Sequence, residues 1–140
     1  MYRDEIQAFV ETFLRREKRD RMRYLLGNPR KRRAGLDRFC HETMDLIDRE
    51  KILLEGADLE RRDEFRRFLA AHGAPVIVFS PDAYPEGERM SVRDALAFAL
   101  TGLDAVLILG EGYAVIFGEP MKGGRDKVLL AAEKGDRADR

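Results

Sequence analysis

Apolar residues in this chain change their spacing near residue 75, from a helical period to unbroken aliphatic runs. Ile6, Phe9, Val10, Phe13 and Leu14 fall at i, i+3, i+4, i+7 and i+8, one face of a 3.6-residue helix. That helix is expected from Asp4 to about Leu26. Its stripe fails across Arg15-Arg16-Glu17-Lys18-Arg19-Asp20-Arg21 and returns at Met22, Tyr24, Leu25 and Leu26, so its middle has little to bury. Gly27-Asn28-Pro29 reads as a helix stop, an N-cap and the first position of a second helix. Ala34, Leu36, Phe39 and Cys40 are then the inward residues. Lys51-Ile52-Leu53-Leu54 fits a short strand or a helical turn equally well. A third helix is expected from Asp58 to His72, with Phe65, Phe68 and Leu69 inward and Gly73 as its stop.

Val76-Ile77-Val78-Phe79 is continuous, largely β-branched and bounded by Pro75 and Pro81, the pattern of a strand buried on both faces. Pro81 to Met90 reads as a turn-rich loop. Ser91-Val92-Arg93-Asp94 resembles a capping box opening a fourth helix whose stripe is Val92, Ala95, Leu96, Ala99 and Leu100, closed by Gly102. Ala105-Val106-Leu107-Ile108-Leu109 is a second two-sided strand. Gly110-Glu111-Gly112 turns it into a hairpin with Tyr113 to Phe117. A last strand, about Lys127 to Ala132, follows Lys122-Gly123-Gly124, and 133–140 is a polar tail expected to fray. The fold class is therefore α+β, with N-terminal helices followed by a β-α-β-β-β mixed sheet covered by helices. The strands at 76–79 and 105–109 are expected to be parallel neighbours joined by a right-handed crossover. Both need cover above and below. One helix between them covers one face, so the N-terminal helices or a second copy of the chain must cover the other. One domain is expected over 1–132, with a charged helical part at 1–57 and a helix-plus-sheet part at 58–132.

Hydrophobic residues make up 44% of the chain, an ordinary share, but charged residues reach 37% against a usual quarter or so. The net charge is zero, and it is unevenly spread. Residues 1–40 hold twelve Lys and Arg against six Asp and Glu, and residues 41–64 hold four against nine. Arg15, Arg16, Lys18, Arg19 and Arg23, with Arg30, Lys31, Arg32 and Arg33, form the set that could meet nucleic-acid phosphates. The simpler reading of such charge is a solvated face that docks the acidic stretch after it. Tyr24 is the sole aromatic between Arg15 and Arg33, which argues against stacking on single strands. Asp82, Tyr84, Glu86, Glu88 and Arg89 follow a buried strand, where α/β proteins place ligand sites, and form a candidate small-ligand or enzymatic site. Cys40 is the only cysteine, which excludes an internal disulfide and a two-cysteine metal motif. It falls on an apolar face and reads as core; His72 is its one conceivable base. His41, Glu42, Asp45 and Asp48 could gather round a cation, but solvated acids are the simpler reading. Gly110-Glu111-Gly112 and Gly123-Gly124 precede no helix and are turns, not nucleotide loops. No catalytic residue, metal or cofactor is assigned.

Several of these pieces taken together resemble a small family of bacterial proteins of about 140 residues with no assigned activity. They are the basic first helix, Gly73-Ala74-Pro75 leading into a strand, Glu86-Gly87-Glu88-Arg89-Met90 opening a helix, and the hairpin around Tyr113 and Gly118-Glu119. The resemblance implies a fold and a bacterial source, and no reaction. With no secretory leader pattern at Met1–Val10 and no long apolar run, a cytoplasmic location is expected. The expected function is a non-catalytic binding or protein-interaction module, self-associating as a homodimer. Nucleic-acid binding by the basic helices and ligand binding at 82–89 are the alternatives.

Overall fold

The computed structural model of the chain describes residues 2–102, 104–120 and 124–132; the tail at 133–140 and part of the turn before the last strand lie outside them. Six α-helices occur among these residues: α1 (Arg3–Phe13), α2 (Arg19–Gly27), α3 (Arg32–His41), α4 (Thr43–Leu46), α5 (Asp63–Ala71) and α6 (Val92–Thr101). The strands are β1 (Ile52–Glu55), β2 (Val76–Ser80), β3 (Tyr84–Met90), β4 (Val106–Gly110), β5 (Tyr113–Phe117) and β6 (Lys127–Ala131). They form one sheet in the order β1-β6-β5-β4-β2-β3. The α+β class with helices ahead of the sheet is as the sequence predicts. The residues at 52–55, ambiguous in sequence, pair with β6 as an edge strand.

Two expectations about the sheet are corrected. Residues 84–90 are a strand, not a loop, and β2 and β4 are antiparallel, not parallel. The two corrections share one cause. Because β3 brings the chain back along β2, the α6 crossover joins β3 to β4, and β2 lies between them. The expected crossover unit exists, displaced by one strand, and every strand pair is antiparallel. β3 hides in sequence because Tyr84-Pro85-Glu86-Gly87-Glu88-Arg89-Met90 contains two residues that strands disfavour. An edge strand tolerates them. Val78 pairs with Glu88 while Ser80 pairs with Tyr84, so β3 bulges there. Gly87 sits at φ 88°, and a Cβ on it would come within 2.7 Å of Tyr2 and 2.8 Å of Phe79.

The first helix is also corrected: it is broken where its stripe fails. Leu14 is extended and pairs with Ile47 in an isolated antiparallel bridge. Arg15 N donates to Leu46 O at 2.9 Å, and Asp48 N donates to Phe13 O at 2.7 Å. The break folds α2 back on α1. The second helix starts at Arg32 instead of Pro29 because Asn28 Oδ1 accepts from Arg30 N at 3.0 Å, closing a local turn; Ala34 points outward. The third helix splits into a short 3-10 turn at Leu59–Arg61 and α5. At α6 the cap is as expected, with Ser91 Oγ accepting from Asp94 N at 3.0 Å.

Inner strands carry apolar side chains on both faces, and each face is covered by the chain's own helices. Ile77, Phe79, Leu107, Leu109, Ile116 and Leu130 pack with residues of α1, α2 and α3. Val76, Val78, Val106, Ile108, Val115 and Leu129 pack with residues of α5 and α6. The N-terminal helices therefore take the face for which they or a second copy were the alternatives. No bare sheet face remains among the described residues to require that copy. No described helix is long and apolar enough to cross a membrane.

Arg125 ties the sheet to the end of α6. Its guanidinium donates to Gly118 O at 3.0 Å, Ala99 O at 3.0 Å and Asp104 O at 2.7 Å, with its Cζ 5.5 Å from the Phe117 ring centroid. Only a planar fork with several donors reaches three carbonyls at once. Arg125→Lys and Arg125→Ala are each expected to cost about 1–3 kcal/mol, since carbonyls lose their partners in both. Urea denaturation checks this, and a neutral Lys variant would show that the fork is not needed.

Candidate ligand cleft

A cleft of about 470 Å³ opens where α1 runs past the end of the sheet at which β2 begins and β4 turns into β5. Glu5, Ala8, Phe9 and Thr12 make one wall, a helix face because their spacing is i, i+3, i+4 and i+7. Ile77 and Leu109 make an apolar floor, and Ala74 and Pro75 close the side opposite the helix. Charge is confined to Glu5, Glu111 and Arg89, and the Arg89 Cζ lies 5.9 Å from the Tyr2 ring centroid, a cation–π contact.

The turn residues Gly110-Glu111-Gly112 and the adjoining Tyr113 complete the cleft. Gly110 and Tyr113 are strand partners, and the Tyr113 ring lies across Gly110. A Cβ on Gly110 would meet the ring at 2.1 Å and the hydroxyl oxygen at 2.7 Å. On its other side the ring meets Phe68 at 5.3 Å and His72 at 5.4 Å between centroids, both edge-on. Tyr113 is 2% exposed, and its hydroxyl has no hydrogen-bond partner among the described residues. Burial pushes the phenol pKa up. A buried unpaired hydroxyl costs about 1–3 kcal/mol, and buried Tyr hydroxyls usually find a partner. A second hollow of about 410 Å³ adjoins the cleft, lined by Ala71, His72 and Gly73 and sharing Ala74, Glu111 and Tyr113 with it.

Residues 82–89 do not converge. Asp82 is exposed and pairs with Arg33 at 2.5 Å. Tyr84 packs against Phe98 at 5.1 Å between ring centroids. Glu86 lies near enough to Arg32 to act on its charge, and Glu88 is exposed on the edge strand. Arg89 alone lines the cleft.

Several of the basic residues hold the fold together. Arg15 Nε donates to Ile47 O and Arg19 Nε to Leu14 O, each at 3.1 Å, on either side of the break between α1 and α2. Arg23 pairs with Glu11 and Asp20. Arg32 is 2% exposed and donates from Nε to Leu26 O at 2.7 Å; burial lowers its pKa, with Glu86 acting the other way. Arg16, Arg30 and Lys31 are exposed and Lys18 is half-buried.

Cys40 lies in the core on one face of the sheet, whereas His72 is exposed and stacks on Phe68 of the other, so the two do not meet. His41 Nδ1 is 3.2 Å from Glu119 and Glu42 pairs with Arg38 at 3.0 Å; among the described residues no three His, Cys, Asp or Glu side chains are grouped to hold a metal. Sequence reasoning missed Tyr113 and Gly110, which it took only as a hairpin start and turn. The available signal was an aromatic three residues after a strand-end glycine, the spacing at which a ring can cover its cross-strand partner. Comparison with known proteins finds no similarity: no family model, no curated protein and no solved structure matches the chain.

Burial raises the Cys40 thiol from 9.0 to about 12, so it carries almost no thiolate at pH 8, and the thiolate is the reactive form. A disulfide exchange reagent at pH 8 should leave the native protein unlabelled and label it once on denaturation. A raised folded pKa means that stability is fully present below pH 9 and is lost as pH climbs toward 12. Cys40→Ser should flatten that alkaline decline in a series of denaturation curves.

Proposed function

We propose that the protein is a non-catalytic binding module whose ligand is a small, largely apolar molecule held between α1 and the β4–β5 turn. The cleft itself carries this reading. At about 470 Å³ it falls within the roughly 300–1,000 Å³ of small-molecule sites. It combines an apolar floor with a few polar groups around it. Transfer of the guest's own apolar surface from water into the cleft supplies the driving force.

Indole titrated into isotope-labelled protein is expected to shift the amide resonances of Ala8, Thr12 and Leu109 to Tyr113 in a saturable manner. Ala8 is exposed on the helix wall, so Ala8→Trp fills the cleft from outside without disturbing the core. That variant should bind indole at least about fivefold more weakly, roughly 1 kcal/mol. Shifts scattered over the surface, or equal binding by the variant, reject the reading.

A further inference from the structure

We infer, resting on the binding reading just given, that the ligand carries a neutral hydrogen-bond acceptor for the Tyr113 hydroxyl, and that Tyr113 is the residue that selects it. Among the described residues only two buried side-chain oxygens lack a partner, Ser80 Oγ and the Tyr113 hydroxyl, and Tyr113 lines both the cleft and the hollow beside it. Its ring and hydroxyl lie over Gly110, itself a lining residue, in the room that the missing side chain leaves for them. Tyr113 separates the cleft from the second hollow, and Ala74 is on the border of both.

The hydroxyl is covered, and residues 71–75 beside it are exposed along their whole length. Contact with a ligand therefore requires an outward shift of the chain beside the hydroxyl, for which Gly73 and Ala74, exposed and lining the second hollow, are placed. An unpaired buried O–H favours any arrangement that gives it an acceptor, so the ligand is drawn toward that opening. A phenol donates more readily than it accepts, which makes the partner a carbonyl or ether oxygen. Two carboxylates against one guanidinium line the cleft, and that guanidinium lies over the Tyr2 ring. An anionic acceptor is therefore disfavoured, and a neutral one is selected.

The test uses two probes of one shape, acetophenone with its C=O and α-methylstyrene with C=CH2 in the same place. Each is titrated into the protein and its Tyr113→Phe variant, with binding read from the amide shifts of the cleft. The preference for acetophenone over α-methylstyrene is expected to be about tenfold greater in the unsubstituted protein than in the variant, the worth of one buried hydrogen bond. Without ligand, Tyr113→Phe is expected to melt at or above the unsubstituted protein, because it removes an unpaired hydroxyl and keeps the ring on Gly110. Equal preference in both proteins, with both probes seated in the cleft, overturns the acceptor and leaves the binding reading standing. Failure of both probes to saturate overturns both. A variant that melts well below the unsubstituted protein shows the hydroxyl to be already satisfied and overturns the inference.

Discussion

Strands β2, β4 and β5 are buried on both faces along almost their whole length, and nearly every other feature answers to that constraint. A sheet apolar on both sides must be covered twice. In this chain the N-terminal helices supply one layer and α5 with α6 supply the other. For α1 and α2 to lie together on one face, the chain between them must leave the helical path. The Leu14–Ile47 bridge is where it does so. The cleft follows from the same layering, because α1 continues past the sheet end and leaves a gap against the β4–β5 turn.

Charge in this protein serves mainly as anchoring at those departures from regular structure. A helix that stops or a strand that ends leaves carbonyls without partners. Arg15, Arg19, Arg32 and Arg125 each place a guanidinium on such carbonyls. Lys127 does the same at Ala57 O and pairs with Glu60. Burial opposes the Glu60 charge, yet the Lys127 hydrogen bond and charge leave its pKa lowered overall. A high charged fraction is thus compatible with a zero net charge and a dry, two-sided core.

The Gly110–Tyr113 pair links packing to recognition. A ring laid over a glycine fills the sheet end efficiently, but it leaves the phenol oxygen in a place where the described residues offer no acceptor. On the proposed reading, the two hollows that share this ring offer a ligand an apolar floor with a few polar groups around it. Small-molecule sites are commonly built in this way.

Much of the architecture was legible in the chain itself. Buried runs at 76–79, 105–109 and 113–117, the Ser91 cap and the α1 stripe follow from local periodicity and short-range hydrogen bonding, which neighbouring residues carry by themselves. The break in the first helix was visible as a lapse in the stripe at Arg15–Arg21, although its form was not, because Ile47 had to arrive from 33 positions away. β3 was invisible because an edge strand can carry Pro85 and Gly87, and edge position is a property of the assembled sheet. With β3 unseen, the β2–β4 direction was misjudged. At the site, Gly110 and Tyr113 read as an ordinary turn, and the residues of 82–89 looked like one constellation. Alternation along a strand, pairing across it and the layering of helices decided which of them share a space, and these are long-range relations. Sequence alone determined which segments must be buried; the tertiary structure decided what they face, since burial is written in single residues and contact only in pairs.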